Sequence, residues 1–237
     1  MKKLVFGSFM MLILAASCKK STPTPPAAAD KFMTFTAGSS WNYSTTDNNA
    51  STTTPYTLTA TAVDTSINGK TYHIFQYMDA TGSSNEYYNN TDNDYYQYTT
   101  LSAQLPPMEL KYLNDAAAVG NSWSQPISVT QTVPVIGSLT ISANIVSSIA
   151  EKGSSLTVNG VTYNNVIKVN SLIQGVTSSS SFVTATVSNQ NINSYFAPKI
   201  GLIKRDFVLK LDATAFGQAQ NVADENTSTV LLSTTVQ

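Results

Sequence analysis

The chain has 237 residues, with 13 basic and 14 acidic side chains and a charged fraction of 11%, well below the ~25% of ordinary soluble domains. Four of the 13 basic residues lie within the first twenty positions, so the remainder is mildly acidic and lacks the basic stripe of a nucleic-acid-binding surface. A single cysteine and a single histidine exclude an internal disulfide and a histidine-rich metal cluster.

The chain opens "MKKLVFGSFMMLILAASCKK". Lys2 and Lys3 precede an apolar run from Leu4 to Leu14, which is shorter than the ~20 residues of a membrane span and is of signal-peptide length. Ala15, Ala16 and Ser17 then lead into Cys18. Residues 1–17 read as a signal peptide. The stretch resembles a bacterial lipoprotein signal, with Ala15 in the place of the usual leucine, a relaxed form similar to that of Bacteroidetes lipoproteins, and the resemblance implies that Cys18 is the lipidated mature N-terminus. Residues 18–29, rich in Pro, Thr and Ala, form an extended tether. Some Bacteroidetes lipoproteins of the cell surface resemble each other in carrying acids just after the cysteine; lysines follow Cys18 here, and that departure implies the periplasmic side of the outer membrane over the cell surface.

Residues 30–237 suffice for one domain. Tyr, Thr and Ser are abundant and helical periodicity is absent, so the expected class is all-β, with antiparallel sheets in an open or partial barrel or a sandwich. The clearest strands flank Asn68-Gly69, a dipeptide suited to a type I′ hairpin turn. After it, Tyr72, Ile74, Gln76 and Met78 share one face and Thr71, His73, Phe75 and Tyr77 the other; neither face is cleanly polar, which predicts a strand covered on both sides or lining a cavity. Next, "NEYYNNTDNDYYQY" at 85–98 reads as a hairpin with tyrosines flanking a polar tip at Asn89–Asp94. A second Asn-Gly at 159–160 predicts another hairpin, with Val161, Tyr163, Ile167 and Val169 on one face and Val166 out of phase. "YFAPKIGLIKRD" at 195–206 reads as strand, Pro-bearing turn and strand, with Lys204 and Arg205 as a charged edge or, as the alternative, an anion-binding pair. The segment 217–228 is equally readable as a loop or a short helix.

Three motifs occur twice in the same order. "GSSW" at 38–41 echoes in "GNSW" at 120–123, "NGKTY" at 68–72 in "NGVTY" at 159–163, and "NEYY" at 85–88 in "NSYF" at 193–196. The expectation is two pseudo-repeated halves within one domain, about 32–115 and about 116–237. Trp41 with Tyr43, the Asn-Gly hairpin, "GVTYNNVIKV" at 160–169 and "YFAPKIGLIK" at 195–204 together resemble a group of uncharacterised Bacteroidetes lipoproteins. The resemblance implies an envelope location and a β fold, and no reaction. Lys199 stands where that pattern has glycine, which predicts a different turn conformation there.

Trp41, Tyr87, Tyr88, Tyr95, Tyr96 and Trp123 are the candidate ligand-binding residues, an aromatic platform for a sugar ring or other flat ligand; cross-strand packing is the simpler use of the same rings. Asn90, Asp92 and Asp94 carry oxygens at alternate positions, as calcium loops do, although the glycine and terminal acid of such loops are missing. His73 is a structural histidine or a general base. Glu86, Asp92, Asp94 and Glu109 are the carboxylates from which a glycosidase pair would come. No cofactor is expected. The sequence reads as a membrane-anchored envelope protein that binds a glycan, lipid or other small ligand on a concave aromatic-lined sheet. The alternatives are a module for binding an envelope protein and, third, a hydrolase.

Overall fold

The computed structural model describes residues 31–99, 107–133, 137–215 and 218–237; the signal segment, Cys18 and the tether lie outside the described residues. The first six strands are β1 (Ser40–Asp47), β2 (Thr52–Ile67), β3 (Lys70–Asp79), β4 (Gly82–Thr91), β5 (Asp94–Thr99) and β6 (Met108–Asn114). The second six are β7 (Ser122–Val133), β8 (Gly137–Val158), β9 (Val161–Ser178), β10 (Val183–Ala197), β11 (Gly201–Ala215) and β12 (Gln218–Thr235). No helix is present among the described residues, so none is long and apolar enough to cross a membrane.

All twelve strands form one antiparallel sheet in the order β6-β5-β4-β3-β2-β1-β12-β11-β10-β9-β8-β7. Each set of six is a meander, and the two meet where the first strand pairs with the last, from Ser40 opposite Thr235 to Asp47 opposite Thr227. The sheet curls until its two edges, β6 and β7, face one another across a seam. Side chains bridge that seam: the Trp123 indole N–H donates to the Lys111 carbonyl at 2.9 Å. The result is a nearly closed barrel.

The echoed motifs fall at matching places in the two meanders. Trp41 and Trp123 are the second residues of β1 and β7; the Asn-Gly pairs join β2 to β3 and β8 to β9; NEYY lies in β4 and NSYF in β10. Both Asn-Gly pairs hold positive φ, 54° and 78° at Asn68-Gly69 and 49° and 79° at Asn159-Gly160, the type I′ geometry whose twist matches paired strands. The second hairpin is much the longer, with 22 and 18 residues in its strands against 16 and 10, which contributes to the growing offset between the echoes.

The interior is aromatic. Tyr43 stacks on Tyr56 (5.2 Å between centroids) and Tyr56 on Tyr77 (4.9 Å), while Phe75, Tyr88, Tyr112 and Phe196 continue across the lumen in edge and stacked contacts. Most of the buried apolar residues fall into two clusters, one around Trp41, Phe75 and Ile203 and one around Tyr95, Leu113 and Ile167; Met33 packs against both. Outside, hydroxyl pairs stand in for charge: Thr46 with Thr53, Thr130 with Thr140 and Thr157 with Thr162 bond across strands at 2.9–3.1 Å.

Several local expectations are revised. Asn165 takes φ 56° and resets the alternation of β9, so Val166 and Ile167 are both fully buried while Val161 is 49% exposed. Lys199 keeps the left-handed conformation that glycine would supply, at φ 66°. Lys204 and Arg205 do not form an edge, because β11 is paired on both sides, by β10 and β12. The segment from 218 to 228 is strand, within β12. Cover on both faces of β3 holds, with Tyr72 2% and Phe75 0% exposed.

Candidate functional site

The 85–98 segment is a hairpin, but its strands run further than the sequence suggested and only Asp92 and Asn93 form the tip, with Asp92 at φ 54°. Register then sorts the tyrosines. Tyr87 is paired directly with Tyr98, Tyr88 with Gln97, Asn89 with Tyr96 and Asn90 with Tyr95. Since faces alternate along a strand, Tyr88 and Tyr95 point into the barrel and Tyr87, Tyr96 and Tyr98 point out.

At the end of this hairpin remote from its tip lies a cleft of about 190 Å³, lined by Asn85, Glu86, Tyr87, Gln97 and Tyr98, with Thr99 and Pro107 at its margin. Glu86 Oε2 accepts from the Tyr88 hydroxyl at 2.5 Å and from the Gln97 amide at 3.3 Å, and the same amide donates to Tyr88 Oη at 3.1 Å. Burial pushes the Glu86 carboxyl above its ordinary value, against the lowering effects of the Tyr88 hydrogen bond and of Arg205. The cleft is thus lined from both faces of the hairpin: Tyr87, Tyr98 and Asn85 belong to the outer face, Glu86 and Gln97 to the inner one.

The other candidates are held elsewhere. Trp41 is 0% exposed and donates to the Ile200 carbonyl at 2.7 Å. Tyr95 is also fully buried; its hydroxyl accepts from the Phe32 amide at 2.8 Å and donates to Asp115 at 2.7 Å, pinning the segment that precedes β1. Trp123 is half-buried at the seam, with the Lys111 ammonium 5.2 Å from its ring. Tyr96 lies on the outer face beneath Lys70, whose ammonium is 3.9 Å from the ring centroid. Of the six aromatic candidates, Tyr87 lines the cleft and Tyr88 supports it from below. Asn85, Gln97 and Tyr98 complete it; Gln97 and Tyr98 stood in the segment the sequence singled out, and only the hairpin register shows that Tyr98 partners Tyr87.

The three calcium candidates do not converge. The Asp94 carboxylate is taken by Lys111 at 2.7 Å and Asn114 at 2.5 Å, and although burial opposes ionisation these partners hold its pKa low. The Asn90 amide donates to the Asp94 carbonyl, and the Asp92 carbonyl accepts from Lys31. Among the described residues no group of three or more potential metal ligands forms. Glu109 is paired with Lys70 at 2.7 Å and accepts from the Tyr72 hydroxyl. His73 Nδ1 lies 2.6 Å from Asp64, and its ring stacks on Phe35 at 4.6 Å.

No known family model matches the chain, and no curated protein matches it. Two solved structures are similar. The first is a protein of Parabacteroides distasonis ATCC 8503 described as a lipoprotein; it aligns with a TM-score of 0.51 and 13% identity, over 87% of this chain and 99% of that one. The second is a protein of Bacteroides fragilis NCTC 9343 described as exported with a YmcC-like fold; its TM-score is 0.41 and its identity 9%, over 87% of this chain and 100% of the other. At 13% identity the first likeness is one of fold.

Proposed function

We propose that the protein is an exported, lipid-anchored envelope protein that binds a glycan without acting on it, in the cleft at the end of β4 and β5. One observation carries this reading: residues with aromatic, amide and carboxyl side chains, Tyr87, Tyr98, Asn85, Gln97 and Glu86, line a single cleft at the end of the hairpin. Such a set suits a sugar, whose C–H face packs on aromatic rings while its hydroxyls both donate and accept. Hydrolysis of a glycosidic bond uses a pair of carboxyls. Among the described residues the cleft is lined by one, Glu86, and the nearby Glu109 is engaged by Lys70 and Tyr72.

The signal-like segment, the position of Cys18 and the likeness to Bacteroidetes lipoproteins support export and lipidation, and the fold shared with the Parabacteroides protein agrees with them. Lys19 and Lys20 support the periplasmic side of the outer membrane. The matched positions of the echoed motifs support two related halves.

The test is calorimetric titration of the protein with neutral hexose and N-acetylhexosamine oligosaccharides. Binding of at least one class, weakened about tenfold or more by Tyr87→Ala and by Tyr98→Ala with the melting temperature retained, is the expected result. Binding to none, or binding indifferent to both changes, sinks it. The second reading, a module for an envelope protein, draws on the burial of Trp41 and Tyr95; native mass spectrometry of the protein from gently extracted envelopes separates a small bound mass from a protein partner.

A further inference from the structure

Arg205 is the chain's single arginine. It lies in the middle of the sheet on β11, opposite Ser194 of β10 and Thr229 of β12. Its neighbour Lys204 points outward, reaching Asp206 at 2.9 Å and the Tyr195 ring at 5.5 Å. Alternation therefore turns Arg205 inward, where its charge acts on Tyr43, Tyr56 and Glu86. The side chain is exposed to the lumen rather than sealed in the core. Lysines 70, 111, 168, 204 and 210 are each in an ion pair, whereas Arg205 makes neither an ion pair nor a hydrogen bond among the described residues. Burial favours the neutral form of Glu86, which limits the compensation it offers.

Phe207 and Leu209 follow Arg205 at two-residue steps on the same face of β11, and Ile192 of β10 sits opposite Phe207. All three are half-buried. A lone guanidinium at the head of a half-covered apolar wall is complementary to one kind of molecule, an anion with a hydrocarbon tail. We propose that this inner face holds a long-chain fatty acid, its carboxylate on the Arg205 fork beside the Ser194 hydroxyl and its tail along Phe207, Ile192 and Leu209. A single cation with no second basic group among these residues matches the single charge of a carboxylate, and the planar fork matches its two oxygens. The site is separate from the β4–β5 cleft and does not rest on the glycan reading.

The protein would be titrated with dodecanoate, dodecanol, dodecyl phosphate and acetate, following displacement of a fluorescent fatty-acid probe. Dodecanoate should displace the probe from the wild type. Arg205→Gln should weaken dodecanoate about tenfold, the size of a lost charge-assisted contact, and leave dodecanol within about twofold. Phe207→Ser should weaken both, and Arg205→Lys should restore only part of the loss because it cannot form the fork. Melting temperatures confirm that the variants fold. The proposal is overturned if dodecanoate does not displace the probe, if Arg205→Gln binds it as the wild type does, or if dodecyl phosphate or acetate is preferred. Oligosaccharide binding measured on Phe207→Ser, which leaves the charge facing Glu86 in place, is the separate readout of the cleft.

Discussion

Glu86 shares its carboxyl between the Tyr88 hydroxyl and the Gln97 amide, in surroundings that favour the protonated form. Its folded pKa is raised above the ordinary 4.5, so the group is neutral in both folded and unfolded states well below that value. As pH rises through about 4.5 the unfolded chain ionises first, and the folded state loses stability until the raised pKa is passed. Glu86→Gln keeps an acceptor for Tyr88 and removes the charge. The variant should melt higher than the wild type at pH 7, with the difference shrinking towards pH 4.5. Parallel melting curves across pH 4.5–7.5 would show that the carboxyl is not under strain. Asp94 has the opposite sign: its lowered pKa contributes stability above about 3.8 that is lost in acid.

Where strands part, the sheet uses glutamines as substitute backbone. Gln125 on β7 accepts from the Lys111 amide at 2.8 Å and donates to the Glu109 carbonyl at 3.0 Å, closing the seam with β6. Gln190 does the same between β10 and β9, accepting from the Ile173 amide at 2.7 Å and donating to its carbonyl at 3.2 Å. A primary amide carries the donor and acceptor of a peptide group, so it can continue a ladder whose strands have diverged. Gln125→Ala leaves one N–H and one C=O without partners and should destabilise the fold by about 1–3 kcal/mol. Hydrogen exchange should speed up at the Lys111 amide while the Ile173 amide stays protected; unchanged protection at Lys111 would show that the seam is held by other means. Nothing in the local sequence marks Gln125 or Gln190, because the signal is the divergence of strands remote in the chain.

At the scale of the molecule, two buried clusters are joined through Met33, and the two meanders through the pairing of β1 with β12. Neither meander closes on itself, and the seam joins their far ends through side chains. Far-ultraviolet and near-ultraviolet signals should therefore lose structure in one coincident transition on heating. Two separated transitions would mean that the halves are independent units. With the first strand paired to the last, folding should be slow for a chain of this size, since that contact closes the longest loop.

The strand class, both Asn-Gly hairpins and the strand–turn–strand at 195–206 were legible in the residues, because turn chemistry and two-residue alternation act over a few positions. The paired motifs lie in correspondingly placed strands and turns of the two meanders. The site was legible only in part: the tyrosine-rich hairpin stood out, yet its residues divided between core, seam, outer face and cleft. That division depends on register, which moves every side chain to the opposite face with a one-residue shift, and on bulges such as the one at Asn165. The isolation of Arg205 likewise depends on pairing with β10 and β12 and on the curl that turns its face inward. Local physics determined the strands and turns; which side chains met across the barrel was decided by long-range closure of the sheet.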